Sequence, residues 1–268
     1  MPLDRLTRVL DDHVLALEEA GTAKGEESIV VSVKPAEDDR GPRFLLKGEG
    51  PQEFIRMNSN SYLGMGLRGE VIAAEEHATR MFGAGPGAVR FISGSYDAHI
   101  VLEEKLAEFH GREAAMIFSS AYATVVSTIT PLTTPETVLV SDELNHNCII
   151  NAMRLSRPAG KAVYPHNDMG ALDAALEAWK GKARRALVVT DGIFSMRGDH
   201  APVDEIVELC IRHDPDYEEN VVCVVDDSHG VGAFGHTGRG AEEFTNSKPA
   251  DILVGTLGKA FGVNGGYV

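Results

Sequence analysis

Lys259 lies in Gly255-Thr256-Leu257-Gly258-Lys259-Ala260-Phe261-Gly262, directly after the apolar run Asp251-Ile252-Leu253-Val254. The run reads as a buried strand and the glycines as a tight turn at its end. Glycine lets backbone approach a bound ligand closely. An amine drawn partly out of water loses some of its preference for charge, which makes it a better nucleophile toward an aldehyde. That is the chemistry of a Schiff-base lysine, although a solvated lysine in a glycine loop fits the same eight residues. A nucleotide-binding P-loop does not fit, because its glycine spacing and the Ser or Thr after Gly-Lys are both missing.

Upstream, Val221-Val222-Cys223-Val224-Val225 is a continuous β-branched run of the kind found in central parallel strands, and it delivers Asp226-Asp227-Ser228-His229 at its carboxyl end. Open α/β sheets bind ligands at that edge. An aspartate there can keep a pyridine nitrogen protonated, and a histidine three residues on can meet the ring face or its phenolic oxygen. A metal is the other use of Asp-Asp-Ser-His. No second cluster with ligand spacing accompanies it, so no metal is expected.

Taken in order, Asp226-Asp227-Ser228-His229-Gly230-Val231-Gly232, Gly238-Arg239-Gly240 and the Gly255–Gly262 stretch resemble the α-oxoamine synthases, pyridoxal-phosphate (PLP) enzymes of the aspartate-aminotransferase fold. The wording is similar to both the 2-amino-3-ketobutyrate CoA ligase and the 8-amino-7-oxononanoate synthase branches, and the resemblance runs from about Asn58 to Val268. It implies a PLP-dependent acyltransferase that condenses an amino acid with an acyl-CoA, releasing CoA and in several members CO2. Lys259 becomes the Schiff-base lysine and the α-proton base, and Asp226 the partner of the ring nitrogen. His146 lies on the ring and His229 contacts it, while Ser195 bonds the phenolic oxygen. Backbone amides at Ala121 and Tyr122, helped by the Thr256 hydroxyl, take the phosphate, and Asn60 contacts the substrate carboxylate.

These groups need a scaffold. With 268 residues and 43% hydrophobic content the chain can bury a substantial core. A net charge of −15 argues against nucleic acid or an anionic membrane surface as the main partner. Cys148, Cys210 and Cys223 form no CxxC pair and no even framework, which fits a reduced, cytoplasmic compartment. No apolar run reaches membrane-spanning length. Leu3, Leu6, Leu10, Val14 and Leu17 predict one amphipathic helix to about residue 20. An arm with a strand at Ile29–Val33 follows, and Phe54–Met57 reads as another short strand leading into Asn58-Ser59-Asn60-Ser61-Tyr62-Leu63-Gly64.

Beyond it the pattern alternates strand and helix about six times. Helices are predicted at 69–82, from Asp97 as cap with Val101, Leu102, Leu106 and Phe109 inward, after Asp168, and over Val203–Cys210. Strands are predicted at Ala114–Phe118, Val138–Val140, Ala186–Thr190, Val221–Val225 and Asp251–Val254. Ser119-Ser120-Ala121-Tyr122 turns a strand into a helix, so Ser120, Ala121 and Tyr122 form a ready phosphate site of unpaired N–H groups. The expected architecture is α/β, a mostly parallel sheet flanked by helices. An N-terminal helix and arm occupies 1–57, and a PLP-binding large domain, incomplete at its C-terminal end, occupies 58–268.

Two departures stand out: Ala123-Thr124-Val125-Val126 replaces the family's Ala-Asn wording, and Arg197 stands where relatives carry an acidic or apolar residue. The sequence stops at Gly265-Gly266-Tyr267-Val268, in what reads as a strand, whereas the family continues into a small domain that supplies an arginine for the substrate carboxylate. It is therefore read as a fragment, impaired in catalysis as it stands. By family analogy the assembly is a homodimer with its site at the subunit interface. Residues 90–99 and Thr256–Lys259 lean toward glycine as substrate, while Gly198–Pro202 and Phe261–Val263 lean toward L-alanine; L-serine is a third option. Another fold-type I PLP enzyme, an aminotransferase or aldol-type lyase, and a non-catalytic partner subunit are the rival readings.

Overall fold

A computed structural model describes residues 3–268, which divide into two compact units that part between Ser59 and Asn60. In the first, α1 (Asp4–Glu19) has the expected apolar spacing, yet none of its residues is buried. Strand β1 (Val30–Lys34) pairs antiparallel with β2 (Arg43–Leu46), and Phe44 is the buried anchor of this ribbon. The predicted strand at Phe54–Met57 does not form. Only Phe54 bridges, to Phe44 of β2, and the next residues are exposed.

The second unit begins with the Asn60–Gly64 turn and α2 (Gly69–Phe82), which has the predicted bounds. After the short α3 (Arg90–Ser93) comes α4 (Asp97–His110). Its N-cap is Tyr96 rather than Asp97, because the His99 ring reaches back to accept from the Tyr96 N–H (3.3 Å). Leu106 is buried as expected, but Val101 faces solvent.

Strand β3 (Ile117–Phe118) is shorter than the five residues predicted and leads into α5 (Ala121–Leu132). Then follow β4 (Thr137–Asp142), α6 (Asn147–Leu155), β5 (Gly160–Tyr164), α7 (Met169–Trp179) and β6 (Arg185–Asp191). The two-residue strands β7 (Ile193–Phe194) and β8 (Asp199–His200) make a small hairpin. The chain continues through α8 (Val203–His213), β9 (Val221–Asp226), α9 (Ala241–Phe244), β10 (Ile252–Thr256) and β11 (Gly266–Tyr267).

Seven of these strands form one sheet in the order β3-β11-β10-β9-β6-β4-β5. All neighbouring pairs from β10 to β5 are parallel, and β11 alone runs against its neighbours. Helices cover both faces, and alternate residues of one strand serve the two cores. Val138, Val140, Val188, Cys223 and Val225 pack with α7 and α8, while Leu139, Leu187, Val189 and Val224 pack with α5 and α6. That double burial is why these strands are written as unbroken apolar runs rather than alternating ones. It also sets the carboxyl ends of β4, β6, β9 and β10 along one edge.

Candidate active site

Asp191 ends β6 and Asp226 ends β9, and the two are register partners. Both carboxylates are therefore thrust together at the carboxyl edge, and both are buried. Burial, and then the charge of Asp226, pushes the Asp191 carboxyl well above the ordinary carboxylate range. Asn145, in the turn after β4, ties the neighbouring loop to this pair. Its amide donates to Ser141 Oγ and the Val189 carbonyl (2.8 Å each), and its oxygen accepts from the Asp191 N–H (2.8 Å). His146 follows directly, its own N–H donating to Asp191 Oδ2 at 2.8 Å. Its ring caps α6, with Nδ1 accepting from the Cys148 N–H (3.2 Å), which leaves Nε2 as the free edge.

Cys148 lies under this ring. Its thiol is 2.9 Å from His146 Nδ1 and 3.6 Å from Asp226 Oδ2, and burial beside two carboxylates pushes it up, so it stays protonated. The second aspartate of the pair has a different role. Asp227 is fully buried and accepts from the Ala241 N–H at 2.6 Å. Side chains at Gly192, Gly230 or Gly240 would overlap it, so those glycines make its chamber.

Lys259 stands in the turn after β10. Burial lowers its pKa, opposed by the nearby Asp226, Asp191 and Cys148. The turn is held by Thr256, whose hydroxyl donates to the Gly265 carbonyl and accepts from the Gly258 N–H (3.2 Å each). Gly262, at φ +75°, lies so close to the backbone at Met65 and Gly66 that no side chain fits. This contact seats the Tyr62–Leu67 segment beside the lysine turn. Tyr62 Oη is then 2.6 Å from His229 Nδ1, and burial holds the His229 pKa down to about 4.

One concavity gathers Ala121, Tyr122, His146, Cys148, Asp191, Ser195, Asp226, Ser228, His229 and Lys259. Seven of the residues named from sequence are among them. Ser120 sits behind the wall as the N-cap of α5, its hydroxyl accepting from the Ala123 N–H (3.1 Å). The first turn of that helix presents N–H groups with no intrahelical partner toward the same space. Ser195 is exposed at the tip of the β7–β8 hairpin. Thr256 is not part of the lining, since its hydroxyl is engaged within its own turn. Asn60 is exposed and also lies outside the lining.

Asn145, Cys148, Asp191, Ser228 and Tyr62 were not singled out from sequence. For Asp191 a signal existed: like Asp226, it directly follows a β-branched run. A larger concavity, lined by Leu106, His110, Arg112, Ile252 and Val268, lies where β10 begins, at the opposite edge of the sheet.

Residues 52–268 match the model of the aminotransferase class I and II family. The chain belongs to that family. Within it, the resemblance to α-oxoamine synthases read from the Asp226 and Lys259 motifs is borne out by the relatives. An 8-amino-7-oxononanoate synthase of Petrotoga mobilis is 38% identical over 245 residues, covering 91% of this chain and 60% of that protein. Among solved structures, the serine palmitoyltransferase of Sphingomonas wittichii superposes with a TM-score of 0.83 at 29% identity, covering all of this chain and 63% of the other. A serine palmitoyltransferase from S. paucimobilis, solved with a bound PLP-myriocin aldimine, gives 0.83 at 26% identity, again covering 100% and 63%. This chain thus spans about three fifths of the length of the relatives it matches.

Proposed function

We propose that this chain carries the cofactor-binding half of a PLP-dependent acyltransferase, one that condenses an amino acid with an acyl-CoA. The reading places glycine first as the amino acid, with L-alanine and L-serine as the other candidates. One observation supports it above the rest: a desolvated lysine amine shares a single concavity with the buried Asp226 and Asp191 carboxylates and two histidines. The donor set suits PLP. Asp226 offers a buried carboxylate to a pyridinium nitrogen, and the N-terminus of α5 at Ser120, Ala121 and Tyr122 offers N–H groups to a phosphate. The Ser228 hydroxyl lines the concavity and is buried without a hydrogen-bond partner, which is how an incomplete polar site presents itself.

When bound, PLP supplies an electron-withdrawing ring that spreads negative charge developed at the substrate α-carbon. The protein's own groups do the rest. Lys259, with its lowered pKa, takes and returns a proton at the α-carbon. Asp226 would face the ring nitrogen, and Asp191, whose carboxyl is pushed by burial well above the ordinary range, accepts from the His146 N–H and fixes that backbone. His146 presents Nε2, and its ring would hold the cofactor from one face. His229 is neutral near pH 7 and is positioned by Tyr62. Ser195 stands by for the phenolic oxygen, and Asn60 and Thr256 retain their proposed roles toward the carboxylate and phosphate. These two need a local rearrangement, since neither lines the concavity as it stands. The assembly is proposed to be a homodimer.

The test is a visible-absorbance titration of the full-length, PLP-loaded protein with glycine, L-alanine and L-serine, each with and without acetyl-CoA. A shift with glycine that evolves further only when acetyl-CoA is added supports the reading. Because the family model also spans aminotransferases, 2-oxo acids form a second arm. Turnover with these and none with acyl-CoA transfers the assignment to an aminotransferase. Borohydride reduction should fix the cofactor covalently at Lys259 and leave a Lys259→Ala variant unlabelled.

A further inference from the structure

Far from Lys259, the last residue of α8 is a histidine that is sealed yet incompletely bonded. The His213 side chain is 7% exposed, and its Nε2 pairs with Asp173 Oδ1 at 2.6 Å. Its Nδ1 is buried with no hydrogen-bond partner. The Asp216 carboxylate, at the end of the 3-10 turn Asp214–Asp216, faces that nitrogen at 3.5 Å. This is too long and too poorly aligned for a hydrogen bond. It matches the separation of two donors that share a cation, because ligands about 2.0 Å from a tetrahedral zinc lie roughly 3.3 Å apart. Glu177 on α7 completes the group, one ligand atom from each of the three residues lying within 4.8 Å of the others.

We propose that Glu177, His213 and Asp216 form a divalent-cation site of zinc type, with water as the remaining ligand. One imidazole and two carboxylates are a donor set for a borderline cation rather than for Mg2+. Asp173 acts as the outer partner that fixes the imidazole tautomer by accepting from Nε2–H, so that the Nδ1 lone pair points at the cation. Asp173 is itself held by Arg212 at 2.6 Å. Asp173 and Glu177 are one helical turn apart on α7, so the ion clamps that helix to the turn that follows α8. Lys180 works against it, since its ammonium engages Asp216 Oδ1 at 2.7 Å and leaves only Oδ2 for the ion. None of these residues lines the Lys259 concavity.

Calorimetric titration of tag-free, PLP-loaded protein with ZnCl2, and separately with MgCl2, tests the site. The expected result is one tight zinc per chain and no magnesium binding. Glu177→Gln and Asp216→Asn should each weaken zinc by about tenfold or more. Lys180→Ala should tighten it, a change that a merely structural ion-pair cluster would not produce. Both carboxylate variants alter exposed or half-exposed groups, so they keep the test independent of the packing around His213. Zinc affinity equal in wild type and the Glu177→Gln/Asp216→Asn double variant would show adventitious binding and overturn the proposal. So would the absence of zinc binding.

Discussion

Burial of the imidazole, with the charge of Lys259 beside it, keeps His229 neutral, and its titration should show this. Its folded pKa of about 4 lies below the ordinary 6.5, so between those values the unfolded chain binds the extra proton. Its contribution to stability is complete above about pH 6.5 and is lost as pH falls toward 4. In NMR titrations the His229 ring should therefore show no transition between about pH 5.5 and 8, and Tyr62→Phe should move its midpoint upward by admitting water. Asp191 has the opposite sign. Its pKa is raised by burial and by Asp226, so its contribution holds below the ordinary 3.8 and is lost as pH rises through the folded value. Asn at this position keeps the acceptor for the His146 N–H and carries no charge. Cofactor-free Asp191→Asn should gain in urea midpoint over wild type as pH is raised from about 4 to 8.

At the scale of elements, the proposed phosphate cup depends on how α5 begins. Ser120→Ala removes the cap from the Ala123 N–H and should cost about 1 kcal/mol, read in urea unfolding at unchanged slope. Gly266 in β11 is a stricter requirement. A Cβ there would come within 2.5 Å of the Ala121 nitrogen and Thr124 Oγ1. Gly266→Ala should displace the first turn of α5 and weaken PLP retention in dialysis by more than tenfold, whereas Gly258→Ala, which meets nothing nearer than 3.5 Å, should not disturb that helix.

For the whole molecule, the notable surface lies on α1. Leu6, Leu10, Val14 and Leu17 form an apolar stripe, between 37% and 54% exposed, on a helix with no buried residue. A stripe of that kind marks an interface. With the proposed homodimer as its partner, Leu6→Glu/Leu10→Glu should shift sedimentation toward the monomer while leaving the near-UV spectrum of the 60–268 unit unchanged. The charge of −15 should make association weakest at low salt, because like-charged copies repel across a longer Debye length.

The central strands, their order in the chain and the catalytic edge were legible in the sequence because a parallel strand buried on both faces must be apolar throughout. The residue after such a run then has to lie at the sheet's carboxyl edge, which singled out Asp226 and placed Lys259 just past a strand. Long helices such as α2 and α8 were legible for a similar reason, since 3.6-residue periodicity survives in the text of the chain. The partners of those residues were decided only by the tertiary structure. Asp191 meets Asp226 through the register of β6 against β9, and Asn145 bonds β6 from another loop. Tyr62 reaches His229 across 167 positions, with Gly66 and Gly262 in close backbone contact beside them. Short strands and caps went astray at Phe54–Met57 and Asp97 because a few residues carry too little periodicity to set an element's bounds, and at Asp97 the His99 ring moved the cap to Tyr96. Local pattern fixes which face and edge a residue occupies, but the residue it meets there depends on pairing between segments distant in sequence.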